Sequence, residues 1–449
     1  MDGKLFASES ALSGFFARFF SGGTTVKLKR LLLLPLALFG LAVVAVGQQG
    51  SASGSTAAAW VQLGKLSPSD VTAYSSGRSI AIAGNVIVVG DDHGQRATVF
   101  VMPKGGWENM VQTAILKASD ESSCGVFGNS VSMSGNTIVV GDPQNYCTGH
   151  PGAAYVFVEP AGGWSGTLTE TAKLTATDAV SGDGVGYSIS IDSNTVVAGA
   201  PYQGNSIGAA YVFVKPASGW TNATQTAKLT ASDSNQGEFG LSVSVSGNAV
   251  VAGAPYRSQA AGAAYVYVEP IAGWTNATQT AELTASDGQS TDGFAYSVSI
   301  SRQIVAVGAN NSNQGQGAAY VFVEPTGGWT STTQAAKLTV SSGFPSDELG
   351  SSVATNGSFV VAGAPYFSNS ANDLTSPYFH EGAAYIFVKP ASGWANQTQP
   401  AAKLNGSDAR LGAYFGTSVA LQGTTVAAGA IFNNRNIGAS YVFGAFSAQ

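Results

Sequence analysis

The chain has 449 residues, of which 20 are Lys or Arg and 26 are Asp or Glu, giving a formal net charge of -6 at pH 7. Hydrophobic residues make up 44% of the sequence, which is ample for a large core. A nucleic-acid-binding protein needs a clustered basic surface, and this composition lacks one, so we expect no nucleic-acid partner.

The first 60 residues differ from the rest of the chain. A basic stretch at 26–30 (VKLKR) precedes an uninterrupted apolar run at 31–46. This order is typical of a secretory signal peptide, and the run is shorter than the roughly 20 residues that span a bilayer. We predict a signal peptide with a long leading segment at 1–47, or an uncleaved signal anchor there, and a flexible linker at 48–59. The product would be secreted or held at the extracellular surface, touching a membrane only if the apolar segment is uncleaved.

From residue 60 onward the chain repeats itself about every 55 residues. The stretch 250–274 (VVAGAPYRSQAAGAAYVYVEPIAGW) matches 196–220 (VVAGAPYQGNSIGAAYVFVKPASGW) in length and in its Gly, Pro, Tyr and Trp positions. Six of the seven tryptophans end a Gly-Trp signature, and runs of the VVxGA type recur seven times. Internal repetition at this period indicates a propeller, a solenoid or another repeat array.

Each repeat contains four segments with the character of β-strands. In one unit, 239–246 alternates polar and apolar residues, 249–254 is small and apolar, and 264–269 is rich in aromatic and β-branched residues. A fourth segment runs from 274 to 286. No part of the unit has a helical period. Repeated four-stranded units predict a β-propeller.

The two ends of the repeat region complement each other. The last unit stops after its third strand at 438–446 (GASYVFGAF), while 60–70 begins with the pattern of the missing fourth strand. A stacked solenoid would need capping repeats and would leave both fragments unpaired. We therefore predict an all-β, seven-bladed propeller over 60–449, with four-stranded antiparallel blades and an N-terminal strand that completes the last blade.

These units resemble FG-GAP repeats of the bacterial type, which also build the N-terminal propeller of integrin α chains. The FG pair occurs as Phe127-Gly128, Phe239-Gly240 and Phe415-Gly416, and the GAP motif as 199–201, 253–255 and 363–365. The resemblance implies a propeller that engages partners from the face carrying the loops between second and third strands. The calcium loop of the integrin-type units is absent: tight turns such as 134–136 carry no carboxylate cluster. We expect no metal and no cofactor.

The expected contact face supplies the candidate ligand-binding residues. They are Asp91, Asp92, His93, Asp142, His150, Tyr202, Tyr256, Tyr366, Tyr378, His380, Glu381 and Phe432. Four of the aromatic ones follow the GAP-type turn at one register, where they either form an aromatic lip for a sugar or peptide or pack between blades. Blade 6 has the longest loop on this face, at 366–381, and loops are where specificity is most easily varied.

Three further residue series favour structural roles. The regular tryptophan spacing favours packing between blades over ligand binding. The three histidines fall in blades 1, 2 and 6, so a shared zinc site is not expected. An aspartate ends most fourth strands, either as an acidic ring that attracts cations or, as we favour, as a cap on the following turn. These aspartates are Asp70, Asp120, Asp178, Asp233, Asp287 and Asp408.

The two cysteines, Cys124 and Cys147, lie in successive loops that we place on the same face. An even number of cysteines in an exported chain indicates a disulfide, and we predict that these two form one.

No nucleophile elbow, zinc-protease helix or phosphate loop occurs. We expect a monomeric binding or adhesion module for an extracellular protein or carbohydrate ligand, not an enzyme. Two alternatives stay open. One is an extracellular propeller enzyme acting on glycans with a carboxylate pair drawn from Asp91, Asp92, Asp142 and Glu381. The other is a purely structural surface protein.

Overall fold

The computed structural model describes residues 59–69, 75–120, 125–143, 149–233, 236–368, 380–408, 410–433 and 437–446. Within these ranges the protein consists of short strands joined by turns. The first strands are β1 (Ala59–Ser67), β2 (Ser79–Ala83), β3 (Val86–Asp91), β4 (Arg96–Val101), β5 (Met110–Val111), β6 (Ala114–Lys117), β7 (Ser130–Ser134), β8 (Thr137–Asp142), β9 (Ala153–Val158), β10 (Gly166–Thr169) and β11 (Ala172–Thr175).

The middle of the chain continues with β12 (Ser188–Asp192), β13 (Thr195–Ala200), β14 (Ala209–Val214), β15 (Ala223–Thr224), β16 (Ala227–Thr230), β17 (Ser242–Ser246), β18 (Ala249–Ala254), β19 (Ala263–Val268), β20 (Ala277–Thr278), β21 (Ala281–Thr284), β22 (Phe294–Ser301), β23 (Ile304–Ala309), β24 (Ala318–Val323), β25 (Thr332–Thr333) and β26 (Ala336–Leu338). The last strands are β27 (Ser352–Thr355), β28 (Phe359–Ala364), β29 (Ala383–Val388), β30 (Ala402–Leu404), β31 (Phe415–Gln422), β32 (Thr425–Ala430) and β33 (Ala439–Phe446).

Three single turns, α1 (Gln203–Ser206), α2 (Arg257–Ala260) and α3 (Ser312–Gly315), lie between second and third strands. Each contains residues in the left-handed region, such as Ser258 and Gln259 of α2. They are therefore tight loops and not helices in the ordinary sense. No helix within the described ranges is both long and apolar enough to cross a membrane.

The strands form seven small sheets, which are the blades of a seven-bladed propeller. The innermost strands of blades 1 to 7 are β2, β7, β12, β17, β22, β27 and β31. They contact one another in that order, and β31 also contacts β2, so the ring is closed. A ring of inner strands surrounds a central channel, and the all-β propeller predicted from the repeats is confirmed.

Closure of the ring depends on the N-terminal strand, as predicted. Strand β1 pairs antiparallel with β33 from Ala59 opposite Phe446 to Leu66 opposite Ser440, with one bulge. Lys65 reinforces this junction, since its Nζ lies 2.5 Å from Oδ2 of Asp408 in blade 6. The first and last segments of the repeat region therefore complete one blade together.

The prediction of four strands per blade needs one correction. In five blades a short strand from the following repeat pairs parallel to the outermost strand, as β20 does with β16. The segment 274–286, predicted as one strand, therefore divides between two blades: β20 covers blade 3 and β21 belongs to blade 4. The physical reason is that an outermost strand has unpaired backbone groups, and a fifth strand hydrogen-bonds part of that edge.

The core lies between neighbouring blades. Phe239 of the FG pair contacts the rings of Tyr265 and Tyr267 on the third strand of its own blade at 5.7 and 6.0 Å. This cluster also takes in residues of the preceding blade, such as Val212, and Trp274. The Trp residues at 164, 220, 274, 329 and 394 are buried in such clusters, so the packing role predicted for the tryptophan series holds for these five.

Neighbouring blades meet at one backbone carbonyl. At Gly308, the glycine of the VVxGA run in blade 5, an added Cβ would lie far inside 3.0 Å of the carbonyl oxygen of Gly350, which belongs to the FG-type turn of blade 6. Ser297, opposite Gly308 in the sheet, donates its hydroxyl to the same oxygen at 2.7 Å. We call this arrangement the carbonyl socket.

The carbonyl socket recurs around the ring. The glycines are Gly90, Gly141, Gly199, Gly253, Gly308, Gly363 and Gly429, and each faces the equivalent carbonyl of the next blade. Ser418 of blade 7 donates to Gly77 at 2.7 Å, so the last socket joins blade 7 to blade 1. Only glycine allows two backbones to approach this closely.

Replacing Gly308 with alanine should destabilise the fold. The added methyl group would overlap the Gly350 carbonyl and push blades 5 and 6 apart, and we expect the free energy of unfolding to fall by about 3 kcal/mol. Urea denaturation followed by tryptophan fluorescence measures this loss. Gly327→Ala is the matched control, because nothing lies within 4 Å of a Cβ there, and it should change stability by less than about 0.5 kcal/mol. Equal effects of the two variants would contradict the socket.

Removing β1 should open the ring. We expect a chain that starts at residue 59 to unfold like the full-length protein, and a chain that starts at residue 68 to unfold at a lower urea concentration because β33 becomes an exposed edge. Adding a peptide of residues 59–69 should restore part of the loss. Identical unfolding midpoints for the two truncated chains would show that β1 is dispensable.

Candidate functional site

The central channel opens at the end of the blades that carries the FG-type turns. There the channel widens into a cavity of about 430 Å³, which we call the channel mouth. Each blade contributes the residue that directly follows its turn glycine or alanine. These residues are Arg78, Asn129, Tyr187, Leu241, Tyr296, Ser351 and Thr417. The next residue in every blade is a serine, and Ser79, Ser130, Ser188, Ser297, Ser352 and Ser418 donate their hydroxyls to the socket carbonyl. The socket therefore fixes where these side chains start.

Aromatic rings form much of the lining of the channel mouth. Tyr366, Tyr414 and Phe432 line it together with Tyr296 and Tyr187. Tyr414 contacts both Tyr366 and Phe432 with ring centroids 5.2 Å apart and near-perpendicular planes. Edge-to-face contacts of this kind hold the rings in fixed orientations. The channel mouth therefore presents a preorganised aromatic surface contributed by several blades.

One positive and one negative side chain face these rings. Burial, together with the neighbouring Tyr187 and Tyr256, raises the pKa of Tyr296 to about 12, while Arg78 opposes the shift and Glu348 adds to it. Burial also raises the pKa of Glu348, whose Oε2 accepts hydrogen bonds from Asn310 Nδ2 at 3.3 Å and Ser351 Oγ at 3.2 Å. The channel mouth thus combines aromatic rings with a guanidinium and a carboxyl group.

Two lining residues have strained backbones. Glu348 and Tyr414 each occupy the position before the FG-type pair, and their φ angles are +57° and +55°. Non-glycine residues in this region cost about 1 kcal/mol or more, and they concentrate at functional sites. Ser75 and Glu238 have a positive φ at the same position in blades 1 and 4 without lining the cavity, so the strain belongs to this position of the repeat.

The predicted aromatic lip is only partly at the channel mouth. Tyr366 and Phe432 line it. Tyr202 lies one step behind, with its ring 5.7 Å from that of Tyr187. Tyr256 is 44% exposed on the same face and is outside the lining. These four residues share a register in the repeat but not a common environment.

The acidic residues predicted in blade 1 hold their own loop. Asp91 is buried, and its carboxylate accepts hydrogen bonds from Gly94 N at 2.8 Å and Arg96 Nε at 3.2 Å. Burial raises the pKa of Asp91 to about 6 against the effect of these donors. Asp92 Oδ1 lies 3.0 Å from His93 Nδ1, and the His93 side chain is 70% exposed.

The predicted residues of blade 2 also make local contacts. Asp142 Oδ1 accepts a hydrogen bond from Val126 N at 3.0 Å. His150 lies 3.0 Å from Gly152 N and 3.1 Å from Lys173 Nζ. Burial, and then the charge of Lys173, lowers the pKa of this imidazole. His150 is therefore part of the framework around Lys173.

In blade 6, His380 is buried and contacts the rings of Tyr366 and Tyr414 at 5.3 and 5.8 Å. Glu381 is a neighbour of Lys403. Tyr378, most of the long loop, and the predicted disulfide between Cys124 and Cys147 lie outside the described residues. Within the described ranges, no three His, Cys, Asp or Glu side chains come together as a metal site would require.

The aspartates that end the fourth strands connect neighbouring blades. Asp178 lies at the end of the fourth strand of blade 2. Its carboxylate accepts hydrogen bonds from two side chains of blade 3, Tyr211 Oη at 2.9 Å and Lys228 Nζ at 2.6 Å. Burial would raise the pKa of Asp178, but these donors and its own backbone N–H outweigh it and hold the pKa below the usual value. The prediction that these residues only cap their own turns was therefore incomplete. Equivalent Tyr–Asp–Lys bridges centre on Asp120, Asp287 and Asp408.

Blade 4 replaces the lysine of this bridge by Glu282. Arg257, from the loop turn α2, compensates: its guanidinium bonds both Asp233 and Glu282, and Tyr265 donates to Asp233 at 2.9 Å. A positive charge therefore contacts Asp233 as in the other bridges, although it comes from the loop residue Arg257 and not from the outer strand. An acidic ring open to cations does not form at the described bridges, because each of these aspartates is paired.

Comparison with known families agrees with this architecture. Six segments match the model described as FG-GAP repeat: 110–157, 168–213, 223–267, 277–322, 332–387 and 399–443. Together they cover more than half of the chain. This chain belongs to the FG-GAP repeat family. Each matched FG-GAP segment runs from the outer strand of one blade to the third strand of the next, so it spans parts of two blades. No curated protein matches the chain.

The FG-GAP motif itself explains why the channel mouth was missed by sequence reasoning. The motif is recognised by the residues that the repeats share, whereas the lining residues occupy the position after FG, which differs in nearly every repeat. An alignment of the seven repeats would reveal that variable position directly before an invariant serine, and this contrast is the signal that could have found the channel mouth.

The compensating role of Arg257 can be tested by moving the charge. Arg257→Ala leaves Asp233 and Glu282 facing each other, and we expect the free energy of unfolding to fall by about 1 kcal/mol, since the pair is partly exposed. Adding Glu282→Lys to that variant recreates the bridge of the other blades and should recover most of the loss. Urea denaturation of both variants measures this, with Glu282→Lys alone as the control. A double variant no more stable than Arg257→Ala would contradict the account.

Proposed function

We propose that this FG-GAP protein is a secreted or cell-surface binding module that captures an extracellular protein or carbohydrate at the channel mouth, without catalysis. The observation that carries the proposal is the channel mouth: seven side chains of six residue types project from one repeated framework position. A purely structural propeller has no need for such differences beside its sockets. Propeller folds serve many functions, so the site and not the fold supports this conclusion.

The route by which the chain enters the propeller supports the same function. Ala59 pairs with Phe446, next to Ala445, whose N–H donates to Thr424 O in the β31–β32 hairpin. That hairpin lies at the opposite end of the blade from the FG-type turn. Ala59 therefore lies on the face opposite the channel mouth, and β1 does not occupy the channel mouth.

The contacts of the predicted carboxylates favour binding over glycan hydrolysis. A hydrolase needs two carboxyl groups about 5 to 10 Å apart and open to the substrate. Asp91 is instead buried against Arg96, and Asp142 holds the backbone of Val126. These two side chains stabilise loops, so we do not assign them a chemical role.

The binding function can be tested with the full-length protein recovered from the culture medium. We expect it to retain ligands from panels of extracellular matrix proteins and glycans immobilised on a surface, with no change in the ligand after elution. Tyr187→Ala combined with Leu241→Ala should weaken retention about tenfold or more, because a binding site depends on a few central contacts. Ile271→Ala is the control, since this side chain is fully exposed in the turn after β19. Retention that is equal in all variants, or ligand cleavage, would refute the proposal.

A further inference from the structure

The charges at the channel mouth restrict the class of ligand. Arg78 and Glu348 both line the channel mouth, where Arg78 opposes and Glu348 adds to the rise in the pKa values of Tyr296 and Tyr366 that burial causes. Arg78 Nε also lies 3.8 Å from Asp92 Oδ2. A strongly anionic ligand would meet Glu348, and a strongly cationic one would meet Arg78. The balance of these charges favours a ligand that carries no net charge.

The aromatic rings favour a ligand with flat, C–H-rich faces. Tyr296 and Phe432 are 36% and 40% exposed even though they line a concave surface. The perpendicular packing of Tyr414 against Phe432 fixes ring orientation before any ligand arrives. A pyranose ring offers a face of polarised C–H groups, which is attracted to the electron-rich face of an aromatic ring. Fixed rings also lower the entropy lost on binding.

The polar groups at the channel mouth suit vicinal hydroxyl groups. Arg78 and Glu348 each have a planar end group with two or more hydrogen-bonding atoms. Asn129 adds its Oδ1, since its Nδ2 donates to Tyr187 O at 2.8 Å, and Ser351 adds a hydroxyl. Planar groups of this kind can bond two neighbouring hydroxyls at once, as a carboxylate and guanidinium bond each other. All four lie on strands or tight turns of the framework, so their positions are set by the fold.

The volume sets the size of the ligand. A cavity of about 430 Å³ lies in the range of small-molecule sites, which measure about 300–1,000 Å³. It accommodates one or two sugar rings at the end of a glycan and is too small for a folded protein domain. We propose that the channel mouth binds the end of an uncharged glycan, with pyranose rings stacked on Tyr296 and its aromatic neighbours and hydroxyls bonded by Arg78 and Glu348. This inference rests on the proposed binding function and narrows its ligand to carbohydrate.

An oligosaccharide array tests the inference on the full-length protein. The probes are uncharged gluco-, galacto-, manno- and N-acetylhexosamine oligosaccharides, beside sulfated, sialylated and uronic-acid-containing ones. We expect retention of one or more uncharged probes, unchanged between about 50 and 500 mM NaCl, because screening affects only charged ligands. Tyr296→Ala and Glu348→Gln should each weaken binding about tenfold or more. Ser351→Trp, which fills the channel mouth without removing a ring, should do the same.

Ile271→Ala is the control, a fully exposed side chain in the turn after β19 and outside the lining, and it should bind within about twofold of the wild type. Unfolding curves that coincide with the wild type identify the variants that are folded. Binding only of charged probes, or uncharged binding that Tyr296→Ala and Ser351→Trp leave unchanged, would overturn the inference while the protein remains a binding module. A protein ligand lost in the mouth variants, without any glycan binding, would also overturn it and would support the broader proposal. Retention of no glycan and no protein would overturn both.

Discussion

One contact between backbones organises the whole ring: the carbonyl oxygen of an FG-type turn seated against a glycine of the preceding blade. At Gly199 an added Cβ would overlap the Gly240 carbonyl, and Ser188 donates its hydroxyl to that same oxygen at 2.8 Å. Gly240 in turn has a φ of +88° and donates its N–H to Gly253 O of its own blade. The two halves of the FG-GAP motif therefore act together: the FG-type turn of each repeat contacts the glycine of the GAP-type run in the repeat before it. Repetition is a consequence, since every blade must offer both halves.

A ring of small sheets has many strand edges with unpaired backbone groups. Side chains of neighbouring blades form hydrogen bonds with these groups. On the inside, Val245 N donates to Ser190 Oγ at 3.0 Å, from blade 4 to blade 3. On the outside, Lys228 N donates to Asn276 Oδ1 at 2.8 Å, from blade 3 to the following repeat. Unpaired strand edges promote aggregation, and here short polar side chains satisfy them. This explains why inner strands read as alternating Ser and Val: the valine packs in the blade and the serine bonds the next edge. A protein with only 10% charged residues can remain well ordered because so many of its polar groups are paired across blades.

The fold could be predicted from the sequence wherever a physical requirement produces a pattern that recurs in every repeat. Ring closure could be predicted because a third strand without a fourth, and a fourth without a third, leave unpaired edges in any other arrangement. Burial of Trp274 could be predicted from its period. The division of 274–286 between two blades could not, because Ala277–Thr278 and Ala281–Thr284 have the same strand-like composition and only their partners differ. The Tyr–Asp–Lys bridges were missed for a similar reason: Asp178, Tyr211 and Lys228 are far apart in the sequence, and each has an ordinary local explanation.

The channel mouth follows from the same constraint that builds the ring. Because the socket fixes the backbone on both sides of each FG-type pair, the residues just before and just after it are held in place whatever their side chains are. Thr417 and Tyr296 can therefore occupy equivalent positions without any change of fold. Where the preceding position needs a positive φ, glycine would be the unstrained choice, as Gly293 is in blade 5. Four blades depart from that choice, with Ser75 in blade 1, Glu238 in blade 4, Glu348 in blade 6 and Tyr414 in blade 7. The positive φ therefore belongs to this position of the repeat, and what distinguishes the channel mouth is the side chains that the position carries: Glu348 and Tyr414 line the cavity, whereas Ser75 and Glu238 are outside its lining.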